Sequence, residues 1–251
     1  MAPLGGESGF ALFFLRWFHF LAGITWIGIL YYFNFVQTPF FATKFVADNP
    51  PVRSGIVRGG LLDTALWWFR WGAMLTFLTG WLYILYVSFH LYGGLHEFAA
   101  TSYGWKIFFG GMLGSVMWAN VWFVIWPNQQ VVMRSAEQVA TGGQAIPDAA
   151  ARGARAGVAS RTNTMLSIPM LFFMGSAKHL AMPDPASGGP KWGALILLAI
   201  VLVLVEINAL VGPAAPASGG KKILATVKGT CWAGFILTAI LYIVLTMLFR
   251  R

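Results

Sequence analysis

Apolar residues run almost unbroken through positions 16–37, RWFHFLAGITWIGILYYFNFVQ, and only Arg16, His19, Asn34 and Gln37 interrupt them strongly. Alternate steps of three and four join Arg16, His19, Gly23, Trp26, Leu30, Asn34 and Gln37 into one helical face. The remaining positions are Phe, Leu, Ile, Val and Tyr, which suit lipid. Polar side chains in hydrocarbon are costly, so a stripe of them marks a functional wall. Gly23 lies four residues from His19 and removes a side chain where a flat cofactor or a second helix can approach.

A membrane span needs about 20 mostly apolar residues. The chain offers six such stretches, at 10–37, 66–90, 104–126, 162–181, 192–212 and 226–249. Pro39, Pro50, Pro51, Pro127, Pro147, Pro183, Pro185, Pro213 and Pro216 fall in or beside the intervening loops, as helix stops should. The pattern predicts an all-α polytopic bundle, a single integral membrane domain over 1–251 with about six transmembrane helices.

Composition agrees, since 58% hydrophobic and 10% charged residues exclude an ordinary soluble domain. A net charge of +9 would point to nucleic acid in a soluble protein. Here the cations sit mainly in loops, so the bilayer is the partner they describe and nucleic acid is not expected. Lys44, Arg53 and Arg58 occupy the first loop; Arg134, Arg152, Arg155 and Arg161 the third; Lys221, Lys222 and Lys228 the fifth. The positive-inside rule then places these loops in the cytoplasm and both termini outside. The opening MAPLGGESGF has no basic segment, so no cleavable signal is expected. Cys231 is the sole cysteine, which excludes a disulfide framework and a CxxCH site for covalent haem c.

On that topology His19, His90, His96 and His179 all lie toward the outer side. Gly175 precedes His179 by four residues, repeating the spacing of Gly23 and His19. Three readings stay open for this set. Two imidazoles from different spans hold a noncovalent haem b; or His19, His90 and His179 bind a transition metal with Met or carboxylate help; or they are structural. His96, beside Glu97, reads as a solvated loop residue. Gly110 and Gly114 form a GxxxG pattern suited to close helix packing. Arg70 reads first as a cation that snorkels to the headgroups, and Glu206 as the partner of a loop Arg.

The motifs HFLAGITWIGILYYFNFVQ, ALWWFRWGAMLTFLTGWL, WPNQQ and SRTNTMLSIPMLFFMG occur in this order between about residues 14 and 180. Together they resemble the membrane domain of the bacterial cytochrome-linked urate oxidases, the urate oxidase N-terminal family. The resemblance implies an enzyme of the bacterial inner membrane that hydroxylates urate to 5-hydroxyisourate with water and passes electrons to a c-type cytochrome. Characterised members carry a C-terminal cytochrome c domain. This sequence has no CxxCH, so the acceptor is expected to be a separate c-type cytochrome or a larger electron-transfer complex. For the purine, Arg16 and Arg70 are candidate anion binders, and Asn34, Gln37, Asn120 and Asn163 candidate partners of the ring edges. Arg16 and Arg70 lie toward opposite faces, and the Arg16–His19 end is favoured for the substrate. The competing reading is a noncatalytic or haem-bearing accessory subunit of a respiratory or photosynthetic complex. A transporter is disfavoured, because no inverted repeat is visible.

Overall fold

The computed structural model describes residues 7–185, 191–212 and 219–250; Pro213 and Pro216 lie outside them. All regular structure among the described residues is helical. Helix α1 (Glu7–Tyr31) continues through a π-helical turn, Tyr32–Gln37, into a final turn, Thr38–Phe41. Short helices Lys44–Asp48 and Pro50–Arg58 lead to α2 (Leu61–Leu91), and Leu95–Ala99 leads to α3 (Ser102–Ala119). Helix α3 also passes through a π turn, Asn120–Ile125, and runs on over Trp126–Ala140. Then come α4 (Ala149–His179), α5 (Trp192–Leu210), a 3-10 turn (Gly219–Ala225) and α6 (Val227–Phe249).

The helices alternate in direction, which gives the bundle two ends. Trp105 and Phe249 meet ring to ring at one end, at 5.6 Å, close to the starts of α1 and α3. At the other, Arg58 lies 3.5 Å from Glu137 and Arg161 donates to Leu224 O at 3.1 Å. The second end collects the loops rich in Arg and Lys and is called the cationic end below.

Five helical stretches are long and apolar enough to cross a membrane: Gly9–Phe41, Leu61–Leu91, Ser102–Ala140, Trp192–Leu210 and Val227–Phe249. The expected span at 162–181 is not among them. Its residues form the second half of α4, which at 31 residues matches α2 in length but is too polar. The reason is where α4 sits. It packs against α1, α3, α5 and α6, and Thr162, Asn163, Thr164, Leu166, Ser167 and Phe173 are fully buried. Protein rather than lipid surrounds it, so hydrogen-bonding side chains are tolerated there. Lipid-facing surfaces are apolar by contrast: Phe10, Phe20, Ile24, Phe123, Trp192 and Phe235 are all exposed.

Core packing is continuous from Trp26, Leu30 and Phe69 through Phe109, Leu113 and Met117 to Leu166, Phe173, Leu198 and Leu241. Without a hydrophobic force between helices in lipid, close backbone approach matters, and small residues permit it. Gly72 shows this: a Cβ there would stand 3.2 Å from the backbone N of Trp26 and 3.3 Å from Ala22 O.

Two expected helix stops do not stop their helices. Pro39 and Pro127 each follow, by two residues, the end of a six-residue π turn. Proline removes an N–H and crowds the carbonyl four residues back. The wider turn before it relieves that conflict, so α1 and α3 continue past the prolines. Pro169 lies inside α4, and Pro50 and Pro51 open a short helix.

Lys106 is 2% exposed at the start of α3, and its Nζ donates to Leu180 O at 2.6 Å and Ser176 O at 3.3 Å. It closes off the C-terminus of α4, pairing Leu180 O and adding a second donor to Ser176 O, which already accepts from Leu180 N–H at 3.0 Å. Lys106→Met keeps the bulk and leaves Leu180 O without its donor. It should cost about 1–3 kcal/mol, read as a lower melting temperature in detergent.

Candidate functional site

The two π turns organise the polar interior. Each places an Asn on the inner face, Asn34 in α1 and Asn120 in α3, both 2% exposed. Asn34 Nδ2 donates to Leu30 O at 2.9 Å and to Ser160 Oγ of α4 at 2.8 Å. Asn120 Nδ2 donates to Asn163 Oδ1 at 3.0 Å and Glu206 Oε1 at 2.9 Å, and Asn163 Nδ2 returns to Met117 O at 2.9 Å. Tyr31 and Ser167 add a hydroxyl pair at 2.9 Å. Polar groups of α1 and α3 are thus paired against α4, and Glu206 of α5 joins through Asn120.

Beside this network, at the cationic end, opens a pocket of about 250 Å³. Asn34 and Gln37 line it from α1, Gln129 from α3, Ser160 and Arg161 from α4, and Lys221 from the 3-10 turn. Gln37 Oε1 is buried and has no hydrogen-bond partner. Arg161 commits Nη1 to Leu224 O, and Lys221 Nζ donates to Val211 O at 2.7 Å. Leu62, Leu66, Phe33 and Ile125 supply an apolar wall. Two cations, three amides and a flat hydrophobic side suit a planar, hydrogen-bonding anion.

The matching sequence region includes most of these elements: the family described as Urate oxidase N-terminal matches residues 83–212. This chain belongs to the urate oxidase N-terminal family. The match spans α3, α4 and α5, and so Asn120, Gln129, Ser160, Arg161, Asn163 and Glu206, while Asn34 and Gln37 precede it. No curated protein and no solved structure matches the chain.

The other candidates do not gather at the pocket of this family member. Arg16 lies toward the opposite end, donating Nε to Tyr83 OH at 3.0 Å and Nη2 to the same oxygen, and Tyr83 pairs with Tyr103 at 3.0 Å. The end favoured for substrate therefore has its guanidinium engaged by a tyrosine pair. Arg70 stands among indoles, 3.9 Å from the Trp126 ring, 5.1 Å from Trp122 and 5.7 Å from Trp71. Its Nε is buried and unpaired, so cation–π contact replaces the headgroup contact expected for it. Glu206 bonds to Asn120 rather than to a loop Arg.

Nor do the histidines converge. His19 Nδ1 lies 3.2 Å from Thr79 Oγ1 of α2, with Gly80 beneath its ring and Gly23 facing Thr76. His90 is exposed and stacks on Tyr86 at 4.2 Å. It is ten residues beyond Gly80 on the same helix, about 15 Å along the axis at 1.5 Å per residue. His179 is exposed at the last residue of α4, and a Cβ on the exposed Gly175 would meet nothing within 4 Å. The cavity at His19 holds about 40 Å³. These residues do not fit a haem b clamped by two of the three imidazoles. Among the described residues no group of three or more His, Cys, Asp or Glu side chains is placed to hold a metal ion.

Sequence reasoning picked out the WPNQQ and SRTNT stretches but assigned no ligand role to Gln129, Ser160 or Arg161. Arg161 looked like one more loop cation. Only its neighbours in space distinguish it from Arg152, whose Nε pairs with Asp148 Oδ2 at 2.5 Å on the surface.

Asn163 is the junction of the buried network. Asn163→Leu removes the second partner of the Asn120 amide, which keeps Glu206, and of Met117 O, which keeps the Asn120 backbone N–H, and should cost about 1 kcal/mol. The double change Asn120→Leu/Asn163→Leu should cost less than the sum of the single changes. Denaturation midpoints of the four proteins test this.

Proposed function

We propose that this urate oxidase N-terminal family member is a membrane oxidoreductase that binds urate, or a closely related oxopurine anion, in the pocket at the cationic end. The observation that carries the reading is the buried, unpartnered Gln37 Oε1 in a pocket that also holds Arg161 and Lys221. Urate is planar and anionic at neutral pH, and it presents ring N–H donors between carbonyls. The Arg161 fork takes the anionic edge, the Gln37 carbonyl accepts a ring N–H, and Gln129 serves the remaining edge. The Phe33 and Leu66 wall covers a ring face.

The reaction is urate plus water giving 5-hydroxyisourate, two protons and two electrons. The electrons pass one at a time to a separate c-type cytochrome. With the Arg- and Lys-bearing loops inside a bacterial inner membrane and the N-terminus in the periplasm, the pocket opens to the cytoplasm. No carboxylate or imidazole is among the pocket's lining residues. The side chains there bind and orient the purine, and water enters without a side-chain base.

That same lining favours a second reading, in which the chain is a purine-binding accessory subunit and oxidation occurs in a partner. Urate titrated into the full chain in lipid nanodiscs, followed by addition of ferricytochrome c, separates the two. Binding with cytochrome reduction is expected. Binding alone would leave the accessory reading, and absence of binding would overturn both. Arg161→Gln should weaken binding by about 10–100-fold, the value of a charge-assisted hydrogen bond, and Gln37→Leu should weaken it less.

A further inference from the structure

Midway along the bundle, where α1, α2, α3 and α4 meet, lies a second and smaller cavity of about 40 Å³. We propose that it is a Cu(I) site with His19, Met170 and Met174 as ligands. The proposal does not rest on the purine reading.

Glycines make the space. Gly80 on α2 and Gly110 and Gly114 on α3 line the cavity, and the donors lie over them. A Cβ on Gly80 would stand 3.0 Å from His19 Cε1, and one on Gly110 would stand 3.1 Å from Met174 Sδ. Met170 lies over Gly114, with Cγ 3.9 Å from the same construction. Two helices thus give up side chains where an imidazole and two thioethers enter one chamber.

The hydrogen bonding orients the imidazole. Thr79 Oγ1 has a single proton and donates it to Leu75 O at 2.6 Å. The same oxygen must therefore accept from His19 Nδ1–H at 3.2 Å. That places the proton on Nδ1 and leaves the lone pair on Nε2. A ligand histidine held through its other nitrogen is the usual support of a metal site.

The chemistry of the set selects the ion. Imidazole and thioether are neutral donors, and thioethers favour Cu(I) over harder ions. The walls carry no carboxylate, so a divalent ion would be left with two uncompensated charges in an apolar enclosure. The rings of Trp26 and Trp81 line the same chamber and favour a cation through their π systems. The volume admits one ion; a cavity needs roughly 10–15 Å³ to hold even a water.

The test uses the full chain in detergent, in a Cys231→Ser background that removes the lone thiol. Cu(I) is supplied anaerobically as its coloured bicinchoninate complex, with ascorbate present. The expected result is withdrawal of one Cu(I) per chain. Met170→Leu/Met174→Leu conserves volume and should abolish withdrawal at the same competitor concentration while leaving the melting temperature near that of the parent. Thr79→Val should weaken binding by about 10–100-fold, as loss of an outer-shell partner does. X-ray absorption at the copper edge should report two sulfur ligands and one nitrogen. Failure of the parent to withdraw Cu(I), or equal withdrawal by a folded double-Leu variant, would overturn the site and leave the two methionines as packing.

Discussion

Every polar group inside a bilayer must find its partner within the protein, and α4 is where this chain meets that demand. Thr162, Asn163, Thr164 and Ser167 lie on it with no exposure at all. Facing lipid, each would carry a desolvation cost with no compensating bond. Surrounded by α1, α3, α5 and α6, Asn163 instead bonds to α3, Ser167 to α1, and Thr164 to its own helix, while Thr162 Oγ1 is the one of the four without a partner among the described residues. The bundle is arranged about a polar axis with apolar helices outside it, and the pocket opens where that axis reaches the cationic end.

The π turns follow from the same demand. Pro39 and Pro127 each lack the N–H that a regular α-helical turn would donate and crowd the carbonyl four residues back. The wider turn absorbs the proline and also brings Asn34 and Asn120 toward α4, where Ser160, Asn163 and Glu206 meet them. Each π turn and its buried asparagine therefore share one cause. Mid-helix π turns often mark functional sites, and the position of both turns beside the pocket fits that association.

Charge is sorted by depth. Cations near the ends cap carbonyls, as Lys106 does for α4 and Arg155 for Leu210 and Gly212. Deeper along α2, Arg70 has tryptophan faces in place of an anion. Arg161 differs from both, since it bonds one carbonyl and also borders an open space lined by amides. Position in the fold, not residue type, makes it the candidate anion ligand.

Hydrophobic length and loop charge were legible in the chain alone, because about 20 apolar residues per span and cation-rich loops are local properties of sequence. They determined the all-α membrane bundle and five of the six expected spans, while the ordered motifs from HFLAGITWIGILYYFNFVQ to SRTNTMLSIPMLFFMG carried the family resemblance. The stripe through Asn34 and Gln37 also pointed to a real inner face. Tertiary structure decided the rest. It turned α4 into a buried axis rather than a lipid-facing span, let Pro39, Pro127 and Pro169 stay within helices, and left His90 and His179 exposed and outside the His19 cavity. It also moved the candidate purine pocket from the Arg16 end to the Arg161 end. Those outcomes depend on which helices touch at which level, and a helical period fixes only the face a residue occupies, never the neighbour that face will meet.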